Sequence, residues 1–582
     1  MKPFWKVVFG GCLGTLIAFI LVNAIIFGII GSAISSVGSE SQPVVPKGAI
    51  LKVDLSQPVS EQGKESFSFN PIAGNAGMAS SMSLLDAIKA LEVAATDPQV
   101  KFVYLKADGL SMDIAEAEEF RNALVRFRES GKPLVSYSQT LSAGNYYMAS
   151  VADKVILNAY GDVMISGMSS QLMYYKDLID HLGIDVQLIR HGKYKSAGEP
   201  YIKSEMSKEN KEQYEQMLST VWSVMADAVA ASRDFTAEQY NAWIDNLEIG
   251  SAEDAKEKGL VDELWYDDQV REYFRTLCDV KEVKDLKYVS LKDYAAAKVK
   301  SNLRAKDKIA IIYADGEIVM DDKGNGQIGN NFAREIAKAR RDSSVKAVVF
   351  RVNSPGGSVQ ASAAIEREIA LLKECKPVIA SYGAYAASGG YLISAGCSRI
   401  FTDNTTLTGS IGVFGMIPSL GKAIRKNLHV NMVNIGTHRH SSMGSGMQPL
   451  SPEEEAWYQE EIEGIYDTFV TVVSEGRSMT KEAVDEIAQG RVWAGKDALK
   501  IGLCDEKNTL LGAIGYIAEK NNLKDYRITV YPEKKSIFKE FKEGDKKKKD
   551  DPLVNIRKSL EPGFKAMARM PYISIDNINY GK

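Results

Sequence analysis

The sequence predicts an α/β protein in which one strand–helix unit occurs twice in tandem. Three observations carry that prediction. Short apolar strands alternate with amphipathic helices at lengths suited to parallel pairing. The order of elements restarts after Lys284. The two stretches also match residue by residue: Gly144-Asn-Tyr-Tyr against Gly389-Gly-Tyr-Leu, Ser207 against Ser451, Arg233 against Arg477, and Ala255-Lys-Glu-Lys-Gly-Leu against Ala498-Leu-Lys-Ile-Gly-Leu. The offset holds at about 243 to 245 residues, which a tandem duplication explains and chance does not. At 582 residues the chain is too long for one core, and each copy is domain-sized.

The chain opens on an apolar run, Val7 to Ile34, without a single charge. About 20 helical residues suffice to span a bilayer core. Lys2 and Lys6 precede the run and no Lys or Arg follows until Lys47, so the positive-inside bias predicts an anchor with its N-terminus in the cytoplasm. A cleaved signal peptide is the competing reading, since small residues follow at Gly31 to Ser36, but the run exceeds an h-region of about 7–15 residues. Residues 37–47 are a polar tether, and the first copy is expected over 47–284.

In that copy, Ala49 to Leu55 alternates as a strand, and Phe67 to Ser81 reads as a loop because Asn, Gly, Ser and Ala show no period. A helix over Ser83 to Ala95 puts Leu84, Leu85, Ile88 and Leu91 on one face. Strand Val100–Lys106, helix Ile114–Glu129, strand Pro133–Tyr137, a short helix Tyr146–Val151 and strand Lys154–Leu157 follow. The second copy, over 305–530, repeats this with strand Lys308–Tyr313, helix Phe332–Arg341, strand Val345–Arg351, helix Ala361–Glu374 and strand Pro377–Ser381. From Lys534 to Lys582 the chain is a lysine-rich tail, read as solvated. Met567 to Tyr572 within it could pack on a surface the sequence does not identify.

The chemistry is asymmetric between the copies. Thr408-Gly-Ser-Ile-Gly-Val-Phe-Gly415 reads as a strand end and a tight glycine turn that presents Ser410, a residue whose counterpart in the first copy is Ile165. A serine hydroxyl needs a base, and the partner expected here is Lys195 in Gly192-Lys-Tyr-Lys-Ser-Ala-Gly-Glu-Pro200, whose counterpart in the second copy is Arg439 or His440. Arginine cannot serve as a base, so each copy has kept one half of a dyad. Burial between domains can lower a lysine pKa by several units and leave a neutral amine able to accept the serine proton. Oxyanion donors are sought first at Gly356 and Gly357, and second at Gly383.

Other chemistries find less support. A net charge of −4 gives no argument for a nucleic-acid partner. Five scattered cysteines form neither a CxxC pair nor a metal spacing, no His, Asp and Glu cluster has metal spacing, and no P-loop is present, so no cofactor is expected. His181, His191, His429, His438 and His440 read as surface or packing residues, with a Ser-His-Asp triad through His440 as the lesser alternative.

Taken together, Thr408-Gly-Ser-Ile-Gly, Ser388-Gly-Gly-Tyr, Ser354-Pro-Gly-Gly and Tyr194-Lys-Ser-Ala-Gly-Glu-Pro200 resemble the signal peptide peptidase SppA family in its long, duplicated form, the protease IV type. The resemblance covers about residues 49 to 525 and the N-terminal anchor. It implies tandem Clp/crotonase-like domains of repeated β-β-α units. It also implies a single-pass serine endopeptidase of the inner membrane, with the bilayer as partner and its catalytic domains outside the cytoplasm. Such an enzyme degrades cleaved signal peptides as a bowl-like homotetramer and uses no cofactor. Ser410 matches the family nucleophile and Lys195 its general base. The family also has a serine that orients the lysine. Val430 to Thr437 offers none here, with Thr437 as the substitute. Ser388 is read as structural, although in the distantly similar Clp proteases a serine in a comparable turn is the nucleophile. A crotonase-type acyl-CoA enzyme and a non-catalytic membrane scaffold are the rival functions.

Overall fold

A computed structural model describes residues 43–63, 65–70, 75–320, 327–329, 331–533 and 566–571. The expected anchor over residues 7–34 lies outside that set, as does the expected tail over 534–582 apart from residues 566–571. Among the described residues no helix is long and apolar enough to cross a membrane. Lys208–Ala230 and Pro452–Arg477 have the length, at 23 and 26 residues, but carry charged faces that a hydrocarbon core would not accept. The expectations of a membrane-bound enzyme, a lipid partner and an inner-membrane location are corrected accordingly. They rested on the apolar run and on the family resemblance, and nothing below depends on them.

Both copies build a parallel sheet with the same strand order. In the first, the order is Glu263–Leu264, Lys154–Met164, Leu134–Ser142, Val100–Lys106, Ala49–Asp54 and Tyr288–Ser290. In the second, Glu506–Lys507, Ile400–Thr402, Val378–Ala387, Val345–Ser354, Asp307–Asp315 and Tyr526–Tyr531 run in the corresponding order. Strands such as Asp307–Asp315 are buried on both faces, which is why they read as near-continuous Ile, Val and Ala rather than as alternation. Side chains such as Ile309, Ile311 and Ile312 are fully enclosed. Each contributes roughly 1.5–3 kcal/mol by leaving water.

Helices form where caps and apolar faces coincide. Ser83 caps Leu84–Thr96 by accepting from the Asp86 amide, and Ser451 with Glu454 makes a capping box for Pro452–Arg477. One expected loop is in fact ordered pairing: Glu65–Asn70 and Asn75–Ser80 form an antiparallel hairpin.

The copies are joined in two ways. Strand Asp185–His191 leaves the first copy and pairs antiparallel with Val413–Ser419 of the second, from Asp185↔Ser419 to His191↔Val413. Elsewhere, buried ions cross the boundary. Arg351 of the second copy holds Glu61 through two bonds of 2.8 Å and meets Glu119 at 2.6 Å, while Glu118 accepts from the Thr405 amide at 3.0 Å. Removing one partner from such a cluster leaves an uncompensated buried charge, at a cost of about 3–5 kcal/mol.

Candidate active site

The second copy's central strand, Val378–Ala387, ends abruptly at Ser388. This residue has φ 55° and ψ −117° and begins the short helix Gly389–Leu392. A non-glycine residue held there stores about 1–3 kcal/mol of backbone strain, which the bond from its own amide to Gly409 O (2.7 Å) helps sustain. Strand Leu407–Gly409 lies alongside, with Gly409 opposite Ala387, and delivers Ser410 at φ 50°. The Ser410 amide donates to Arg491 O at 2.6 Å.

Lys195 arrives from the first copy just beyond the strand that crosses to Val413–Ser419. Gly192 (φ +102°) turns the chain so tightly that a Cβ there would meet Gln489 at 2.5 Å. Tyr194 N donates to Gln489 O at 2.9 Å, and Arg190 Nη1 donates to Lys195 O at 2.7 Å. Gly490 backs directly onto the Lys195 main chain. The lysine stem is thus fixed by backbone from both copies.

The expected meeting of Lys195 and Ser410 is present, and a third residue joins it. Lys195 Nζ lies 3.0 Å from Ser410 Oγ, 2.9 Å from Ser410 O and 2.7 Å from Ser388 Oγ. All three residues are fully buried. Burial alone holds the lysine pKa well below its ordinary range, since no carboxylate contributes to the shift. In the neutral amine two N–H groups and one lone pair must be shared among three neighbours. The Ser410 carbonyl can only accept, so it takes one N–H. The second N–H and the lone pair fall to the two hydroxyls, of which Ser388 Oγ stands closer.

Two amides converge beside Ser388. A Cβ on Gly389 would stand 3.2 Å from Gly357 N, and one on Gly356 only 2.7 Å from Gly389 N. Glycine is required at both places in the Pro355-Gly-Gly turn, because Gly356 has φ +95° and a Cβ on Gly357 would strike Ile318 O at 1.9 Å. Gly356 donates its own amide to Ser354 Oγ at 3.2 Å, which leaves Gly357 and Gly389 as the pair aimed at a reacting carbonyl. Gly383 is elsewhere: a Cβ there would meet Glu61 Oε1 at 2.5 Å, so this glycine makes room for the ion cluster rather than for an oxyanion. His440 bonds Glu454 at 2.9 Å, and Thr437 bonds His438; both lie on an exposed stretch away from Lys195. The sequence reading has Ser388 as structural and does not single out the Gly389 amide. The signal was their place at the C-terminal end of a central strand, followed at once by Gly-Gly.

A serine hydroxyl on a strained strand-to-helix turn, a buried lysine and paired glycine amides on an α/β sheet define a serine endopeptidase of the Ser-Lys kind. The chain belongs to peptidase family S49, whose profile matches residues 126–281 and 370–524, and the Clp protease profile matches 300–408. Protease 4 of Haemophilus influenzae is 34% identical over 493 residues, covering 81% of this chain and 79% of that protein. Protease 4 of Salmonella typhi is 33% identical over 507 residues, covering 85% and 80%. The chloroplastic serine protease SPPA of Arabidopsis thaliana is 32% identical over 487 residues, covering 82% and 70%. The chain is therefore a serine endopeptidase of the SppA/Protease 4 type. That membership sets aside the crotonase and scaffold readings.

Proposed function

We propose that Ser388 is the nucleophile, Lys195 the general base and Ser410 the residue that positions the lysine. The sequence reading differs: it expects Ser410 as the nucleophile, Ser388 as a structural residue, and Thr437 as a substitute for the serine that orients the lysine. The carrying observation is the three-way contact at Lys195 Nζ: Ser410 engages the amine through both its carbonyl and its hydroxyl, whereas Ser388 makes the closest approach. In this reading the Ser388 proton passes to Lys195 as Oγ adds to the scissile carbonyl carbon. The amides of Gly357 and Gly389 hold the oxyanion. The C–N bond breaks, Lys195 returns its proton to the leaving amine, and water deprotonated by Lys195 then hydrolyses the ester.

The substrate proposed is an extended, apolar peptide, cleaved signal peptides included. It would add as a strand between Gly356–Ser358 and Val413–Ser419, pairing through its backbone. A fluorophosphonate probe followed by peptide mapping tests the assignment. The label is expected on Ser388. Ser388→Ala should lose it, with turnover falling by ~10³ or more, whereas Ser410→Ala should keep it at a reduced rate. A label found on Ser410 in the wild-type chain would overturn the assignment.

A further inference from the structure

Lys195 and Ser410 both lie just outside regular structure. Residues 193–197 follow the crossing strand Asp185–His191 and belong to no helix or strand, so no ladder fixes their backbone. Ser410 stands one residue past its strand, with its amide held by the carbonyl of Arg491. Arg491 in turn follows two left-handed residues, Gln489 (φ 51°) and Gly490 (φ +78°). A fixed separation between amine and hydroxyls therefore depends on what joins these two loops, one from each copy.

Helix Lys208–Ala230 supplies the join. Gln213 stands in its second turn and is 2% exposed. Three acceptors surround Gln213 Nε2: Tyr194 O and Ser196 Oγ, each at 3.0 Å, and Asn210 Oδ1 at 2.9 Å. The first two flank Lys195. Gln213 Oε1 accepts from the Val492 amide at 3.2 Å, next to Arg491. A carboxamide can donate to one loop and accept from the other at the same time. A second brace lies nearer the surface. Arg491 Nη1 donates to Tyr194 Oη at 3.1 Å and meets Glu212 Oε1 at 3.0 Å, and its guanidinium lies 4.7 Å from the Tyr194 ring centre and 4.5 Å from that of Trp493.

The duplication shows what the helix alone requires. Ser207 and Ser451 cap corresponding helices, and at equal distance past each cap Gln213 matches Trp457, which is exposed. The helix needs no buried amide at this place. Only the copy that carries the lysine has one.

We propose that Gln213 is a positioning residue for Lys195, and that with Arg491 it clamps the two loops at the spacing proton transfer requires. The proposal rests on the role of Lys195 as general base given above. Gln213 is enclosed behind the lysine and acts through it, not on the peptide. Without the clamp the amine drifts from both hydroxyls and its pocket admits water.

Steady-state hydrolysis of an apolar peptide by the full chain, followed across pH, tests this with Gln213→Met, a side chain of similar length without the bonds. Turnover should fall in kcat by 10- to 10²-fold, as a displacement approaching ~1 Å would cause, with KM little changed. Water beside the amine relieves its desolvation, so the acidic limb of kcat/KM should move up by about one pH unit or more. Fluorophosphonate labelling should slow by the same factor as kcat. Trp457→Met is the control at the matching place in the second copy and should match wild type in all three. An unchanged urea m-value establishes that Gln213→Met is folded. If it is not, Arg491→Lys loosens the same join from the solvent side and should give about a tenfold loss with the same direction of limb shift. A folded variant that loses stability but keeps wild-type kcat and limb overturns the proposal, because a merely structural glutamine would give that result. Lys195→Ala that still hydrolyses the peptide overturns the reading beneath it.

Discussion

Gly490→Ala offers a sharp test of how the lysine is held. Gly490 has φ +78°, and a Cβ built there would lie 2.6 Å from Lys195 Cβ and 2.7 Å from both Lys195 Cα and N. Those are not the ends of a flexible side chain, so the lysine main chain itself must retreat. Restoring an ordinary carbon–carbon separation of ~3.5 Å requires a shift of about 0.9 Å. The left-handed conformation adds about 1–2 kcal/mol for alanine. An amine that sits 2.7 Å from Ser388 Oγ and 3.0 Å from Ser410 Oγ does not survive such a shift with its contacts intact. A misplacement near 1 Å costs on the order of 10²-fold in rate. Steady-state hydrolysis of an apolar peptide should therefore fall about a hundredfold in kcat, with KM little changed, and fluorophosphonate labelling should slow by the same factor. Gly464→Ala is the control: it lies on the exposed face of Pro452–Arg477 with nothing near a built Cβ, and should leave kcat unchanged and add up to ~1 kcal/mol of stability. A Gly490→Ala enzyme within threefold of wild type would refute the argument that Lys195 is fixed by backbone contact.

Three further outcomes follow from other contacts. Because burial lowers the Lys195 pKa and the neutral amine is the active form, kcat/KM should rise with pH along an acidic limb set by that group and reach a plateau below the ordinary lysine range; a bell centred on a histidine pKa would contradict it. Arg351→Met leaves Glu61 and Glu119 buried without their cation, so urea denaturation should report a loss of about 3–5 kcal/mol, regained in part by adding Glu61→Gln. Glu116 is raised to about 9 by burial and by the neighbouring Glu61 and Asp113. A carboxyl whose folded pKa is raised binds more protons folded than unfolded, so its contribution to stability falls as pH climbs from about 4.5 toward 9. Glu116→Gln should flatten that decline in chemical denaturation, and parallel curves for the two proteins would count against it.

How much of this was readable beforehand differs from residue to residue. Ile114–Glu129 and Phe332–Arg341 were delimited correctly because their periodicity is local, reinforced in the first by the Asp113–Glu116 capping box. The partnership of Lys195 with Ser410 was legible because duplication left each copy with half of an asymmetric pair. The hairpin at Glu65–Ser80 was not, since small polar residues signal a strand only through the partner they meet. Ser388 reads as structural for a related reason. Its hydroxyl and that of Ser410 occupy similar glycine-flanked turns, and what tells them apart is the lysine's closer approach to Ser388 and its added bond to the Ser410 carbonyl. Nothing local in Ala566–Pro571 announced a strand, because its partners lie some two hundred residues earlier.

The exchange of a strand between the copies also has a consequence in time. Until Val413–Ser419 has been synthesised and has docked against Asp185–His191, the amine has no alcohol to activate. A growing chain therefore leaves the ribosome inert. Proteolytic competence arrives only at that step of folding, when more than two thirds of the 582-residue chain has already been made.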